Sequence, residues 1–183
     1  MASLVRLICM LLLPAGVAAV ATAQAEIRIS AWETIVSDPR FRVEMPSPVD
    51  REIDTDSDGT RMTDYTHWFA EIDSFSLTIT DYPDDIVGEP DSEAEIATEL
   101  EAVRDALAAS FPDGRIVAEA SLRRDGYRGL AFTIRYGGGR FYRSLLFVGP
   151  GESLVSLAVD IDGDHQADPS IERFFASFAI LRK

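Results

Sequence analysis

Between residues 116 and 159 the chain alternates short apolar stretches with glycine turns, and this pattern leaves little freedom of fold. Ile116 to Leu122 leads into Arg124-Asp125-Gly126. Leu130, Phe132, Ile134 and Tyr136 then alternate with less apolar neighbours up to Gly137-Gly138-Gly139. Phe141 to Val148 runs to Gly149-Pro150-Gly151, and Leu154 to Val159 follows. Side chains of a strand point to opposite faces with a period of two, so such segments are half-buried strands. Asp-Gly and Gly-rich turns reverse the chain tightly and pair the strands antiparallel. A meander of four strands is therefore predicted here.

Upstream, Thr34 to Val36 form a short apolar stretch. Phe41, Val43 and Met45 alternate with Arg42 and Glu44 until Pro46 and Pro48. Residues 50–60 are polar and read as a loop. Met62 to Ala70 holds Tyr65, His67, Trp68 and Phe69, residues that favour strands. Phe75, Leu77 and Ile79 give the cleanest alternation in the chain, stopped by Asp81-Tyr82-Pro83.

A helix is predicted next. Ile96, Leu100, Val103 and Leu107 recur at steps of four, three and four, one stripe of a 3.6-residue period. Ser92 with Glu95 forms a capping-box pattern, and Phe111-Pro112-Asp113-Gly114 ends the helix. Asp168-Pro169 starts a second, with Asp as N-cap and Pro at the first helical position. Ile171, Phe174, Phe175 and Phe178 would pack it on the sheet. The expected order is ββββ-α-ββββ-α, an α+β domain with an antiparallel sheet flanked by helices.

The first 25 residues read as a signal peptide. Arg6 precedes an apolar run from Leu7 to Val20, and Ala23-Gln24-Ala25 fits the small-x-small cleavage rule. The run is shorter than the ~20 residues a membrane span needs. Cleavage is expected before Glu26, giving one α+β domain over 26–183 in the periplasm or secreted, with no transmembrane segment. Cys9 lies too early in the run for a lipid anchor, so the mature chain has no Cys and must rely on its core. The composition, 16 Arg to one Lys and no Asn, reads as that of a bacterial protein with a GC-rich genome.

The whole chain carries 31 acidic and 17 basic side chains, a net charge of −14. Residues 44–105 hold nineteen acidic and three basic side chains, essentially all of the excess. Such a chain lacks the basic footprint of a nucleic-acid binder.

Asp54, Asp56 and Asp58 before Gly59 match the front half of an EF-hand loop, where they would give oxygens to calcium. Position twelve should be Glu, and here it is Tyr65. The plain alternative is a solvated acidic turn. Asp160, Asp162, Asp164 and Asp168 form a second acidic group, read as a polar turn feeding the last helix, the alternative being a cation shared by Asp160 and Asp162. No catalytic motif is present. Gly149 to Ser153 lacks the second Gly of a nucleophile elbow. His67 and His165 are the only imidazoles, and with no Cys in the mature chain and no H-E-x-x-H motif they make a weak case for a zinc enzyme. Gly137-Gly138-Gly139 does not lead into a helix and is a hairpin turn. Arg123, Arg124, Arg128, Arg135, Arg140 and Arg143 are the sole basic concentration, expected mainly to pair with the acidic half, the alternative being a site for an anion or an acidic partner.

Three segments resemble exported bacterial proteins of the PsbP-like superfamily: Gly126-Tyr127-Arg128-Gly129-Leu130-Ala131-Phe132, Arg140-Phe141-Tyr142-Arg143-Ser144-Leu145, and Arg173-Phe174-Phe175-Ala176-Ser177-Phe178. Phe41-Arg42-Val43-Glu44-Met45-Pro46 and Asp81-Tyr82-Pro83 also fit. The resemblance implies an α/β/α sandwich and an accessory or assembly protein, with no shared catalytic residues to carry over. The expected function is a non-catalytic, exported binding protein without a cofactor, acting on another protein or a small ligand. The alternatives are a calcium-binding module using Asp54, Asp56 and Asp58, and a periplasmic hydrolase using His67 or carboxylates.

Overall fold

The computed structural model describes residues 29, 31–37, 39–69, 73–83 and 92–181. The expected signal peptide, its cleavage site and Cys9 lie outside the described residues. The strands before the long helix are β1 (Trp32–Ser37), β2 (Phe41–Pro46), β3 (Asp50–Thr55), β4 (Arg61–Trp68) and β5 (Ser74–Asp81). Helix α1 (Glu93–Ser110) leads to β6 (Arg115–Arg124), β7 (Tyr127–Tyr136), β8 (Arg140–Val148) and β9 (Leu154–Ile161). Helix α2 (Pro169–Ser177) and the two-residue β10 (Ala179–Ile180) follow. Among the described residues the fold is mostly antiparallel sheet with two α-helices, as the α+β reading expected. The order differs from ββββ-α-ββββ-α: five strands precede α1, and a short one follows α2.

The extra strand is β3, within the stretch read as a loop. All six of its residues are exposed, so it has no buried face to produce alternation. It is an edge strand, and its charges keep that edge from pairing with other chains.

Seven strands form one antiparallel sheet in the order β3-β4-β5-β9-β8-β7-β6. Two meanders, β3-β4-β5 and β6 to β9, join at the β5–β9 seam, where Leu77 lies opposite Leu157. A three-stranded sheet has the order β1-β2-β10. On one face of the large sheet, Leu130, Phe132, Ile134, Leu146 and Val148 pack around Leu100 of α1, with Ile96, Val103 and Leu107 beside them. On the other face, Phe75, Leu77, Ile79, Val155, Leu157 and Val159 meet Phe41, Val43 and Met45 of β2 and Ile171, Phe174 and Phe175 of α2. Phe75 sits centrally, 5.3 Å from the Phe174 ring and 5.4 Å from Phe69. Burying a side chain of this size contributes roughly 1.5–3 kcal/mol.

Local signals fix the element ends. The Ser92 hydroxyl accepts from the Glu95 N–H at 3.3 Å, and Glu95 accepts from the Ser92 N–H at 2.7 Å. Asp168 accepts from the Ser170 N–H at 2.9 Å, with Pro169 opening α2. Asp125 and Gly126 both have positive φ, 53° and 93°, the type I′ geometry that matches strand twist.

Candidate binding groove

Among the described residues the core-side face of the large sheet is not fully covered. Helix α2 and the small sheet pack mainly on β5, β9 and β8, and β6 and β7 meet them at one end through Leu122, Arg124 and Tyr127. Ala120 faces Ala131 across these strands, and Ala118 faces Thr133. Small side chains here leave an open groove of about 390 Å³, walled by Leu145 of β8 and by Phe175 and Ala176 of α2.

Two arginines build the wall. Arg124 donates to the carbonyls of Phe175 at 2.6 Å and Phe178 at 3.2 Å, and its guanidinium stacks over the Phe178 ring. A cation suits this place, because the last carbonyls of a helix lack backbone donors. Arg143 lies over the Phe175 ring and pairs with Glu172 at 2.9 Å. The same face continues past Thr133 to Arg135, which a bulge between Ile116 and Ala118 places opposite Arg115. Both are exposed, and neither has a carboxylate partner among the described residues.

A separate polar cluster lies where β7, β8 and β9 meet. Arg140 contacts Asp73 at 2.9 Å and Asp160 at 2.7 Å and donates to the Tyr136 hydroxyl at 2.9 Å. Tyr136 donates to both Asp160 oxygens, and His165 Nδ1 lies 3.2 Å from Asp73. Burial opposes the Arg140 charge, but Tyr136, Asp160 and Asp73 outweigh it and raise its pKa. Burial and the bond to Asp160 raise that of Tyr136. Burial, with the charges of Asp160 and Asp64, pushes Tyr142 up to about 12. These shifts favour a charged Arg140 and neutral tyrosines, and the ion pairs link β8 to β9 and to Asp73.

Asp54, Asp56 and Asp58 fall at the β3–β4 hairpin. Asp54 accepts from the Thr55 N–H at 2.8 Å and Asp58 from the Thr60 N–H at 2.9 Å. The bond from Thr60 holds the Asp58 carboxyl below its ordinary range. Tyr65, at position twelve, is buried and donates to Ser37, away from the loop. Among the described residues no three His, Cys, Asp or Glu side chains converge to hold a metal ion. In the second acidic group, Asp160 joins Arg140, Asp162 accepts from the Asp164 N–H, and Asp168 caps α2.

His67 is buried on the core side, with Nδ1 2.7 Å from the Pro48 carbonyl oxygen. Gly137, Gly138 and Gly139 form the β7–β8 turn with φ of 35°, 80° and 115°. Of the basic concentration, Arg123 and Arg128 pair with Glu93, Arg143 with Glu172, and Arg140 with Asp73 and Asp160. Arg124 bonds to carbonyls, and Arg135 stands beside Arg115. The groove and the Arg115–Arg135 juxtaposition escaped sequence reasoning. The Ala pair at 118 and 120 was a signal, a strand segment oddly poor in bulky residues.

No family model matches the chain, and no curated protein matches it. Its fold is similar to the solution structure of cyanobacterial PsbP (CyanoP) from Synechocystis sp., with a TM-score of 0.56 at 12% identity, over 86% of this chain and 96% of that one. A protein of unknown function from Pseudomonas aeruginosa gives a TM-score of 0.44 at 12% identity, over 83% of this chain and 98% of that one. The PsbP likeness is one of fold, and it agrees with the resemblance carried by the three sequence segments. No described helix is long and apolar enough to cross a membrane.

Proposed function

We propose that this PsbP-like domain is an exported, non-catalytic binding module that takes its ligand in the groove between β6–β8 and α2. One observation carries the reading: an open, apolar groove of about 390 Å³ with a floor of Ala118, Ala120 and Ala131. Apolar concavities with a few polar rim groups are the usual form of a ligand site. The groove lining has no imidazole and no Cys, which favours binding over nucleophilic chemistry. The layering of α1, the large sheet and α2 supports the finer description as an α/β/α sandwich. Export rests on the apolar run from Leu7 to Val20 and on Ala23-Gln24-Ala25.

The test uses 1-anilinonaphthalene-8-sulfonate, a fluorescent apolar anion. The wild-type protein should enhance its fluorescence, and Ala131→Trp, which fills the groove, should remove the enhancement while circular dichroism stays unchanged. Equal enhancement by both would reject the groove as the site. Mass analysis of the protein from native periplasm should find a chain starting at or near Glu26. An intact Met1 there would reject cleavage.

A further inference from the structure

We infer that β6 accepts an added strand, an extended segment of a partner protein with alternating apolar residues and carboxylates at its ends. This rests on the groove reading and names the occupant.

The two edges of the large sheet are built differently. β3 carries Asp50, Arg51, Glu52 and Asp54 in six residues, the usual defence of an edge. β6 is ten residues long and, from Ile116 to Leu122, carries one charge, Glu119, already paired with Arg104. Ile116 and Val117 are 36% and 53% exposed. Among the described residues β6 is paired on one side only, with β7, which leaves its outer row of N–H and C=O groups for a further strand. Main-chain bonds of that kind supply affinity, and alternate side chains supply specificity.

The adjoining groove suits those side chains. Residues of an added strand on the core-side face would pass over Ala118 and Ala120 towards Phe175 and Leu145. Charge then narrows the choice of partner. Arg115 and Arg135 lie directly opposite each other, an arrangement that repels. A carboxylate at the end of the added strand would relieve it. A second copy of this chain fits badly. Antiparallel pairing of two β6 strands about Glu119 and Ala120 sets Arg115 against Arg124 of the partner subunit, like charges again.

The experiment titrates the 15N-labelled full-length protein with two capped nonapeptides of alternating Val and Thr, one ending in Glu at both ends and one in Lys. The Glu-ended peptide should slow hydrogen exchange of the outward β6 amides and shift the Arg115 and Arg135 signals, binding about tenfold tighter than the Lys-ended one. Arg115→Glu with Arg135→Glu, two exposed changes, should reverse that preference. No slowing of β6 exchange at millimolar peptide overturns the inference, as does equal binding of the two peptides. Protection of β6 that grows with protein concentration alone overturns it in favour of self-pairing. If the fluorescent probe still binds the groove of the wild-type protein, the groove reading survives the failure. If the probe fails as well, both fall.

Discussion

Replacing Arg140 by Leu should be among the most destabilising single changes in the domain. Arg140 holds Asp73 and Asp160 at 2.9 and 2.7 Å and is largely shielded from bulk water, its side chain being only 12% exposed. Asp160 is 23% exposed and can rehydrate when the cation goes. Asp73 is 5% exposed and cannot. Breaking a buried pair from one side costs about 3–5 kcal/mol, because a charge loses its main partner; for Asp73 the contact remaining among the described residues is His165 Nδ1 at 3.2 Å. With one of the two carboxylates rehydrating, about 3 kcal/mol is expected. A domain of this size has roughly 5–15 kcal/mol in total, so the melting temperature should fall by about 6–12 °C. Arg143→Leu is the control, since its partner Glu172 is 72% exposed and the pair contributes under about 1 kcal/mol. Urea unfolding followed by circular dichroism measures both. Adding Asp73→Leu to Arg140→Leu should return part of the loss by removing the stranded carboxylate. The reasoning fails if Arg140→Leu costs no more than Arg143→Leu.

Ser92→Ala should cost about 1 kcal/mol, read in the same unfolding assay, because it removes the acceptor for the Glu95 N–H. Gly129→Ala should cost roughly 1–3 kcal/mol or more, since a Cβ there would lie 2.5 Å from the Phe147 ring. Glu93 has its pKa lowered by hydrogen bonds from Arg123 and Arg128, and Glu95 by its bonds to Ser92. Their stabilising effect is therefore present above about pH 4.5, the ordinary glutamate range, and lost as pH falls through the lowered folded-state values. Melting curves of Glu93→Gln with Glu95→Gln should accordingly depend less on pH below that point than wild type. Millimolar calcium should leave the melting temperature unchanged, because Asp54 and Asp58 already serve backbone N–H groups. A clear upward shift, lost in Asp56→Ala, would restore the calcium reading.

What the sequence made legible was local. Phe75, Leu77 and Ile79 mark a strand by their own period, Ser92 and Glu95 bond to each other, and Asp125-Gly126 sets its own turn. Each signal lies within a few residues. β3 was missed because all its side chains face water, so burial leaves no mark on its pattern. β10 is two residues long, too short for a period, and is held from outside by Asp125, which accepts from the Ile180 N–H at 2.9 Å. The groove depends on which residues face across β6 and β7, and a single bulge sets that register. For Asp54 and Asp58 the spacing suggested a supply of oxygens, but it did not show that each would also accept a neighbouring N–H.

The β5–β9 seam has a consequence for how the chain assembles. Each meander closes on itself through short turns, whereas the seam joins Thr80 to Leu154 and Ser74 to Asp160, and the small sheet joins Phe41 to Ile180. Residues 32–81 and 115–180 are thus sewn together at two places, both distant along the chain. Loop closure makes such pairings the slow ones. A chain cut between Pro83 and Ser92 keeps both meanders whole. Its two fragments should recombine when mixed, at a rate set by their concentrations.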